Sequence, residues 1–271
     1  MKGQFIFPTC KRAGLNVSTI FKNTARDKSF DGGKLELMDM HISLKIYKEG
    51  DIIYEYEDFA VVKEDEFFEL SEMNCPIIAE CEGELLVIAS CMRGENNEYF
   101  PQEHQLIFQS RNGITKNVSV LYDQLPISNT VARTNTILLL APKVWISNEV
   151  NTFICFANSN STDNSTKVKR NCIIHFLKQD GKILHTLEFN IYDNDTFILD
   201  IKNSLKGLIE LNDRLQFVNV VARVNFVSCV IFTIIKNDKT GALAVEHSLS
   251  PHYYMNGDFS KVRSEAFLFS K

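Results

Sequence analysis

The chain of 271 residues has little of what marks a nucleic-acid binder, a membrane protein or a secreted protein. Its 29 lysines and arginines are scattered among 34 aspartates and glutamates, which gives a net charge of −5 without a basic run. Nucleic acid and anionic membrane surfaces both need clustered basic residues. No stretch approaches the roughly 18 apolar residues of a membrane span. The N-terminal segment has only a short apolar patch, below the roughly 7–15 apolar residues of a signal peptide. The sequence therefore predicts a cytoplasmic protein with neither nucleic acid nor membrane as a partner.

The seven cysteines form no metal or redox motif. No CxxC pair occurs, which disfavours a zinc ribbon or a thioredoxin-type site. Most of the cysteines lie inside apolar runs, as Cys155 does in Phe-Ile-Cys-Phe and Cys229 in Val-Ser-Cys-Val. We predict reduced, buried thiols that pack as small apolar residues, and we predict no cofactor.

Signatures of the common enzyme classes are missing as well. The sequence contains no Gly-x-Ser-x-Gly, no phosphate-binding loop and no dinucleotide fingerprint. Two acidic stretches, 64–66 and 193–195, lack the glycine and the glutamate that an EF-hand loop requires. They are predicted to be solvated turns. These absences favour binding or assembly over catalysis.

What the sequence does contain is a set of internal matches between its two halves. The matched segments are 8–24 with 142–158, 46–70 with 176–200, 86–104 with 230–247, and 112–113 with 256–257. In the second match a glycine-containing turn (Gly50, Gly181) separates two apolar runs in each copy. Four matches in the same order predict the duplication of a whole domain, with a period far above that of solenoid repeats.

The repeated unit is β in character. Its apolar runs are short, rich in Val, Ile, Phe, Tyr and Thr, and bounded by Gly, Asn, Asp and Pro. Asn-Gly at 112 and 256 and Asp-Gly at 180 predict tight hairpin turns. The layout resembles tandem immunoglobulin-like or fibronectin-like sandwiches, a likeness of fold that implies no function. We predict an all-β protein of two tandem, related β-sandwich domains from an internal duplication, residues 1–133 and 134–271.

The pairs Glu103-His104 and Glu246-His247 are the first candidate site, because they end matched segments in both halves. Histidine and carboxylate are frequent metal ligands and acid–base groups. Adjacent residues on a strand point to opposite faces, so one pair cannot readily hold one ion. The alternative is a strand-end pair that hydrogen-bonds a neighbouring strand.

The stretch after the second pair is the densest candidate. A binding site is predicted at Glu246, His247, His252, Tyr253 and Tyr254. Histidine and tyrosine combine an apolar body with a hydrogen-bonding tip, and loops on a rigid scaffold often carry binding sites. Alternatively, the two tyrosines close one end of the core. Zinc held by the two histidines needs a third ligand, whose geometry nothing in the sequence fixes.

Together these observations predict a non-catalytic binding or assembly protein whose partner is an unknown protein or small-molecule ligand. Homo-oligomerisation also fits, because exposed sheet edges pair unless they are blocked. Two alternatives stay open. One is a metal-dependent enzyme with a pocket between the halves that uses Glu246, His247 and His252, and the other is an acidic adaptor for a protein partner.

Overall fold

The structure is a computed structural model that describes ten segments of the chain. They are 3–23, 39–93, 97–98, 105–111, 117–121, 137–140, 144–159, 167–225, 229–247 and 253–255. These segments form strands almost throughout, with two short helices and one 3₁₀ turn. No helix in them is long and apolar enough to span a bilayer. The prediction of an all-β protein is confirmed.

Nine strands of the first half pair into two antiparallel sheets. They are β1 (Gly3–Pro8), β2 (Leu15–Lys22), β3 (Met40–Lys48), β4 (Asp51–Val62), β5 (Phe67–Leu70), β6 (Leu86–Arg93), β7 (Asn97–Glu98), β8 (Gln105–Ser110) and β9 (Val118–Leu121). The larger sheet has the order β1-β6-β3-β4, with β7 paired to β6, and the smaller has the order β5-β2-β8-β9. A 3₁₀ turn, Lys11–Ala13, joins β1 to β2, and helix α1, Pro76–Glu80, lies between β5 and β6.

Ten strands of the second half also pair into two antiparallel sheets. They are β10 (Ile137–Leu140), β11 (Val144–Ile146), β12 (Val150–Asn158), β13 (Lys169–Leu177), β14 (Ile183–Tyr192), β15 (Asp195–Asp200), β16 (Gln216–Asn225), β17 (Cys229–Asn237), β18 (Leu243–His247) and β19 (Tyr253–Met255). The larger sheet has the order β14-β13-β16-β10-β19, with β11 beside β16, and the smaller has the order β15-β12-β17-β18. Helix α2, Ile201–Ser204, follows β15.

The two halves share one strand order. The row β4-β3-β6-β1 of the first half has the counterpart β14-β13-β16-β10 in the second, and β5-β2-β8-β9 has the counterpart β15-β12-β17-β18. The first two sequence matches fall on equivalent strands, β2 with β12 and the β3–β4 hairpin with the β13–β14 hairpin.

The third sequence match does not fall on equivalent strands. It sets β6 against β17, whereas the strand order equates β6 with β16 and β8 with β17. The two Glu-His pairs therefore do not correspond in sequence position relative to the strands, because Glu103-His104 precedes β8 in the chain and Glu246-His247 ends β18. Buried strands rich in Val and Ile look alike wherever they lie in a sheet, so the sequence alone could not separate them. The fourth match, at 112–113 and 256–257, lies outside the described residues.

The two predicted glycine turns are both formed. Gly181 has φ 82 in the turn that joins β13 to β14. The β3–β4 turn has only two residues, Glu49 and Gly50, with φ of 49 and 83. Positive φ at both central residues is what a type I′ hairpin turn requires. The register of the β3–β4 hairpin follows from this turn.

The smaller sheet of the second half is apolar on both faces. In β12, Phe153 and Cys155 belong to a core shared with the first half, whereas Ile154 and Phe156 belong to the core of the second half. Alternate residues of a strand point to opposite faces, so this pattern places the sheet between the two cores. A continuous apolar run such as Phe-Ile-Cys-Phe is typical of a strand that is buried on both sides.

The two halves pack directly against each other. The rings of Phe108 in β8 and Phe232 in β17 lie 5.8 Å apart. The thiols of Cys10 and Cys155, one from each half, are hydrogen-bonded, and burial raises the pKa of Cys10 well above its ordinary value. The predicted boundary after residue 133 lies outside the described residues and stays a prediction.

Candidate functional site

The residues predicted as a site from the sequence are divided between two sheets. Glu246 is exposed in β18 and faces Thr233 of β17 across the strand pair, and the backbone of His247 follows it. Tyr253 and Tyr254 lie in β19, which pairs with β10 in the other sheet of the second half. Glu103, His104 and His252 lie outside the described residues. The described backbone thus places the two ends of the predicted loop in different sheets.

Among the described side chains, no three His, Cys, Asp or Glu groups converge as a metal site would require. The metal site predicted as an alternative includes His252, which lies outside the described residues. That alternative remains a prediction.

A cleft lies where the two halves meet, and it is a concave site that the sequence analysis did not assign. It encloses about 660 Å³. Six lining residues come from the first half and six from the second: Lys11, Arg12, Lys48, Glu49, Gly83, Glu84, Asn190, Tyr192, Asp195, Thr196, Phe197 and Ile198. The 3₁₀ turn, the β3–β4 turn and the loop before β6 form one wall, and the ends of β14 and β15 form the other. We call this site the junction cleft.

Glu84 is one of three carboxylates that line the junction cleft, with Glu49 and Asp195, and it holds the 3₁₀ turn in place. One oxygen accepts hydrogen bonds from the Thr9 hydroxyl at 2.8 Å and from the Lys11 backbone N–H at 3.0 Å. The other accepts from the Arg12 backbone N–H at 2.6 Å. Burial raises the pKa of Glu84, and these donors only partly offset the rise. Both oxygens are committed to the fold.

Asp195 is another of these carboxylates, and it ties together turns from both halves. It accepts hydrogen bonds from the backbone N–H groups of Thr196 at 2.8 Å and Tyr192 at 3.3 Å. The backbone N–H of Glu49, in the other half, also donates to it. Burial raises the pKa of Asp195, and the three backbone donors lower it. The backbone amides hold the Asp195 carboxylate in one orientation.

The prediction of a solvated turn at 193–195 was wrong. Asp193 and Asp195 are each only 8% exposed. Arg170 clamps Asp193 through two hydrogen bonds, Nε to Oδ1 at 2.9 Å and Nη2 to Oδ2 at 2.8 Å. Asn158 donates to the Tyr192 carbonyl at 2.8 Å. A short acidic sequence resembles an exposed turn, and the tertiary contacts from β12, β13 and the β3–β4 turn show that it is covered.

Two further contacts close the junction beside the cleft. The ammonium of Lys167 lies 2.7 Å from Asp51 Oδ2 and 4.4 Å from the centre of the Tyr192 ring. A Cβ added at Gly50 would lie 2.8 Å from the Tyr192 Cβ and 3.0 Å from the Asp193 carbonyl oxygen. The β3–β4 turn thus touches the β14–β15 turn so closely that only glycine fits.

The cations of the cleft differ in how they are used. Lys11 donates to the carbonyl oxygens of Ile78 and Cys81, both at 2.5 Å, so it caps the end of α1. Within the described part of the chain, no hydrogen bond or ion pair engages the guanidinium of Arg12 or the ammonium of Lys48. The side chain of Lys48 lies over Gly83, since a Cβ added at Gly83 would lie 3.8 Å from Lys48 Cε. The cleft therefore presents two uncommitted positive charges.

The junction cleft has only weak signals in the sequence. Its charged residues are scattered over four separate stretches, and each stretch alone looks like a solvated turn. The matched glycine turns at Gly50 and Gly181 were visible, but their surroundings were not. Gly50 packs on the other half, whereas an added Cβ at Gly181 would meet nothing within 4 Å.

Neither a protein-family model nor a curated protein matches the sequence. Among solved structures, the chain overlaps a Bacteroides uniformis β-glucuronidase 2 at 12% identity and a TM-score of 0.20, covering 94% of this chain and 26% of the glucuronidase. A glycosyl hydrolase family 2 member from Bacteroides cellulosilyticus overlaps at 8% identity and a TM-score of 0.22, covering 90% of this chain and 27% of the hydrolase. A Pleurotus ostreatus lectin overlaps at 9% identity and a TM-score of 0.15, covering 94% of this chain and 84% of the lectin.

The chain spans about a quarter of the length of these two glycosidases. Overlaps at TM-scores near 0.2 carry no inference about activity or ligand.

Proposed function

We propose that the chain is a non-catalytic binding protein that holds a small organic anion in the junction cleft. The observation that carries the proposal is that two carboxylates of the cleft are hydrogen-bonded to the backbone, whereas two of its cations have no partner within the described part of the chain. Glu84 and Asp195 are bound to backbone amides, which hold both carboxylates in place. The guanidinium of Arg12 and the ammonium of Lys48 make no hydrogen bond or ion pair within the described part of the chain, so both can bind an anionic group of a ligand.

The walls of the cleft narrow the ligand further. Phe197 and Ile198 supply apolar surface, and Asn190 supplies an amide. Glu49 and Lys48 both line the cleft. A ligand that carries a hydrogen-bond donor for Glu49 beside an anionic group for Lys48 therefore fits better than a simple anion such as sulfate, which has no donor. Binding sites commonly combine an apolar lining with a few polar groups that fix orientation.

The scaffold of this binding protein is proposed to come from an internal duplication. The equal strand order of the two halves and the two sequence matches on equivalent strands support this proposal. The cleft has one wall from each half, and we attribute the difference between the two walls to divergence after duplication.

The test is a thermal-shift screen of small organic anions with and without amino or hydroxyl groups, followed by calorimetry of those that stabilise the protein. We expect Arg12→Ala with Lys48→Ala to weaken binding at least about tenfold, since a charge-assisted hydrogen bond contributes about 1.5–3 kcal/mol. The control is Lys178→Ala with Arg214→Ala, which removes the same charges from exposed positions outside the cleft.

Two results would overturn the proposal. One is equal loss of binding in the control protein. The other is about one transition metal per chain that is lost on His247→Ala with His252→Ala, which would support the metal-dependent enzyme instead.

A further inference from the structure

The strand β4, the strand β5 and the turn between them form an edge that is strongly acidic. Residues 51–70 contain eight carboxylates and one lysine, a net charge of −7, whereas the whole chain carries −5. The rest of the chain therefore has a balance of +2. All eight carboxylates are exposed. We call residues 51–70 the acidic edge.

The acidic edge is open for strand pairing. β4 is the last strand of its sheet and β5 is the last strand of the other sheet of the first half. Within the described residues, no strand pairs with the outer side of β4. Unpaired backbone N–H and C=O groups along such an edge can be completed by a strand from another chain.

The acidic edge is also unusually apolar for a solvated surface. Of the ten exposed large apolar side chains in the described part of the chain, five lie here: Ile52, Ile53, Tyr54, Val61 and Phe67. Phe67 is 70% exposed. A concentration of apolar groups in one exposed segment is typical of an interaction surface, whereas single exposed ones are ordinary.

A row of aromatic rings connects the two strands of the acidic edge. Tyr54 stacks on Tyr56 at 4.6 Å, and Tyr56 meets Phe59 at 5.2 Å. Phe59 meets Phe68 of β5 at 6.0 Å. Exposed tyrosine faces attract lysine and arginine side chains, so this row adds to the preference for a basic partner.

The two faces of β4 differ in chemistry over its regular part. Tyr54, Glu55 and Tyr56 pair in order with β3, whereas Ile53 has no partner because the register shifts between Ile52 and Tyr54. Tyr54 and Tyr56 therefore share one face and Glu55 lies on the other, because side chains alternate along a strand. Over residues 54–56, a strand added here would meet tyrosine rings on one face and the Glu55 carboxylate on the other.

Several carboxylates of the acidic edge have partners within the chain and others do not. Asp51 pairs with Lys167, Glu55 with Lys45, and Asp58 with His41. Five carboxylates make no ion pair within the described part of the chain: Glu57, Glu64, Asp65, Glu66 and Glu69. Their charge is left for a partner to neutralise.

A second copy of the chain is a poor occupant of this edge. Pairing two copies edge to edge would bring together two segments of net charge −7, and like charges on facing strands are destabilising.

We propose that the acidic edge binds an extended segment of another protein in which basic and apolar residues alternate. The basic residues face the carboxylates, the apolar residues face the row of tyrosines, and backbone hydrogen bonds extend the sheet beyond β4. This surface is separate from the junction cleft, and the proposal does not depend on the ligand proposed there.

The experiment measures binding of a fluorescein-labelled peptide with four Lys-Val repeats by anisotropy at physiological ionic strength. We expect saturable binding that becomes at least about tenfold weaker when two central valines are proline, since proline cannot join a strand ladder. The two peptides carry the same charge, so the comparison separates strand addition from electrostatic attraction alone. A peptide of four Glu-Val repeats should not bind.

Protein variants complete the test. Glu57→Gln with Glu69→Gln should weaken the binding of the Lys-Val peptide about tenfold, whereas Glu188→Gln with Glu210→Gln, a control pair on the exposed surface of the second half, should not. The proposal is overturned if the Lys-Val peptide does not bind, if the proline peptide binds equally well, or if both double variants behave alike. It is also overturned if sedimentation shows a dimer that Ile52→Lys dissociates, because the occupant is then a second copy.

Discussion

Gly50 is held by two independent constraints, its backbone conformation and its contact with the other half. Its φ of 83 is unfavourable for any residue with a Cβ, and an added Cβ would lie 2.8 Å from the Tyr192 Cβ. We expect Gly50→Ala to lower the free energy of unfolding by about 1–2 kcal/mol through backbone strain and by a further 1–3 kcal/mol through overpacking. Urea denaturation measures the sum.

Gly181 supplies the matched control for this prediction. It has nearly the same φ, 82, in the equivalent hairpin turn, but an added Cβ would meet nothing within 4 Å. Gly181→Ala should therefore cost only the strain of about 1–2 kcal/mol. Equal losses in the two variants would contradict the close contact between Gly50 and the β14–β15 turn.

At the scale of single elements, strands and hairpins were predictable from the sequence because their signals are local. Apolar runs and turn residues predicted the β class, and Gly50 and Gly181 predicted two hairpins that the structure contains. The pairing of β6 was not predictable in this way. Which sheet a buried strand joins depends on partner strands far along the chain, and the residues of the strand itself do not identify those partners.

The candidate site was harder to predict than the strands for the same reason. In the sequence Asp195 has the neighbours of a solvated turn, whereas in the structure its carboxylate accepts a hydrogen bond from the backbone N–H of Glu49 in the other half. Glu246 and His247 were prominent in the sequence because they lie together, yet the described backbone separates them from Tyr253 and Tyr254 by a change of sheet. Whether these side chains converge stays a prediction, because His252 between them lies outside the described residues.

The position of a strand in its sheet predicts how well its amides are protected from exchange. β12 lies between β15 and β17 and is buried on both faces, whereas β4 is an edge strand and largely exposed. Local opening costs the most where contacts are densest. Native-state hydrogen exchange followed by mass spectrometry should show the slowest exchange in 150–158 and much faster exchange in 51–62.

The strand β14 is the control for the exchange experiment. It is the edge strand of the equivalent sheet in the second half, and nine of its ten residues are exposed or half-buried. Its amides should exchange at rates close to those of β4. Protection of β4 equal to that of β12 would show that the edge is covered in the free protein, which the proposed strand addition does not allow.

For the whole molecule, the sheet that bounds both cores has a consequence for stability. The first-half core contains Phe153, Phe232 and other residues of β12 and β17, so unfolding the second half would strip one wall from the first. Domains that share a large apolar interface tend to unfold together, whereas those joined by a small polar one move independently. We therefore expect the two halves to behave as one cooperative unit.

Trp145 makes this expectation measurable, because it is the only tryptophan and lies in the second half. Urea unfolding followed by its fluorescence should coincide with unfolding followed by far-ultraviolet circular dichroism, which reports the strands of both halves. Phe232→Leu, at the shared core, should move both curves together and lower the free energy of unfolding by about 1–3 kcal/mol. If the fluorescence curve separates from the dichroism curve, the halves unfold as the independent domains 1–133 and 134–271, and the shared core contributes less than its burial implies.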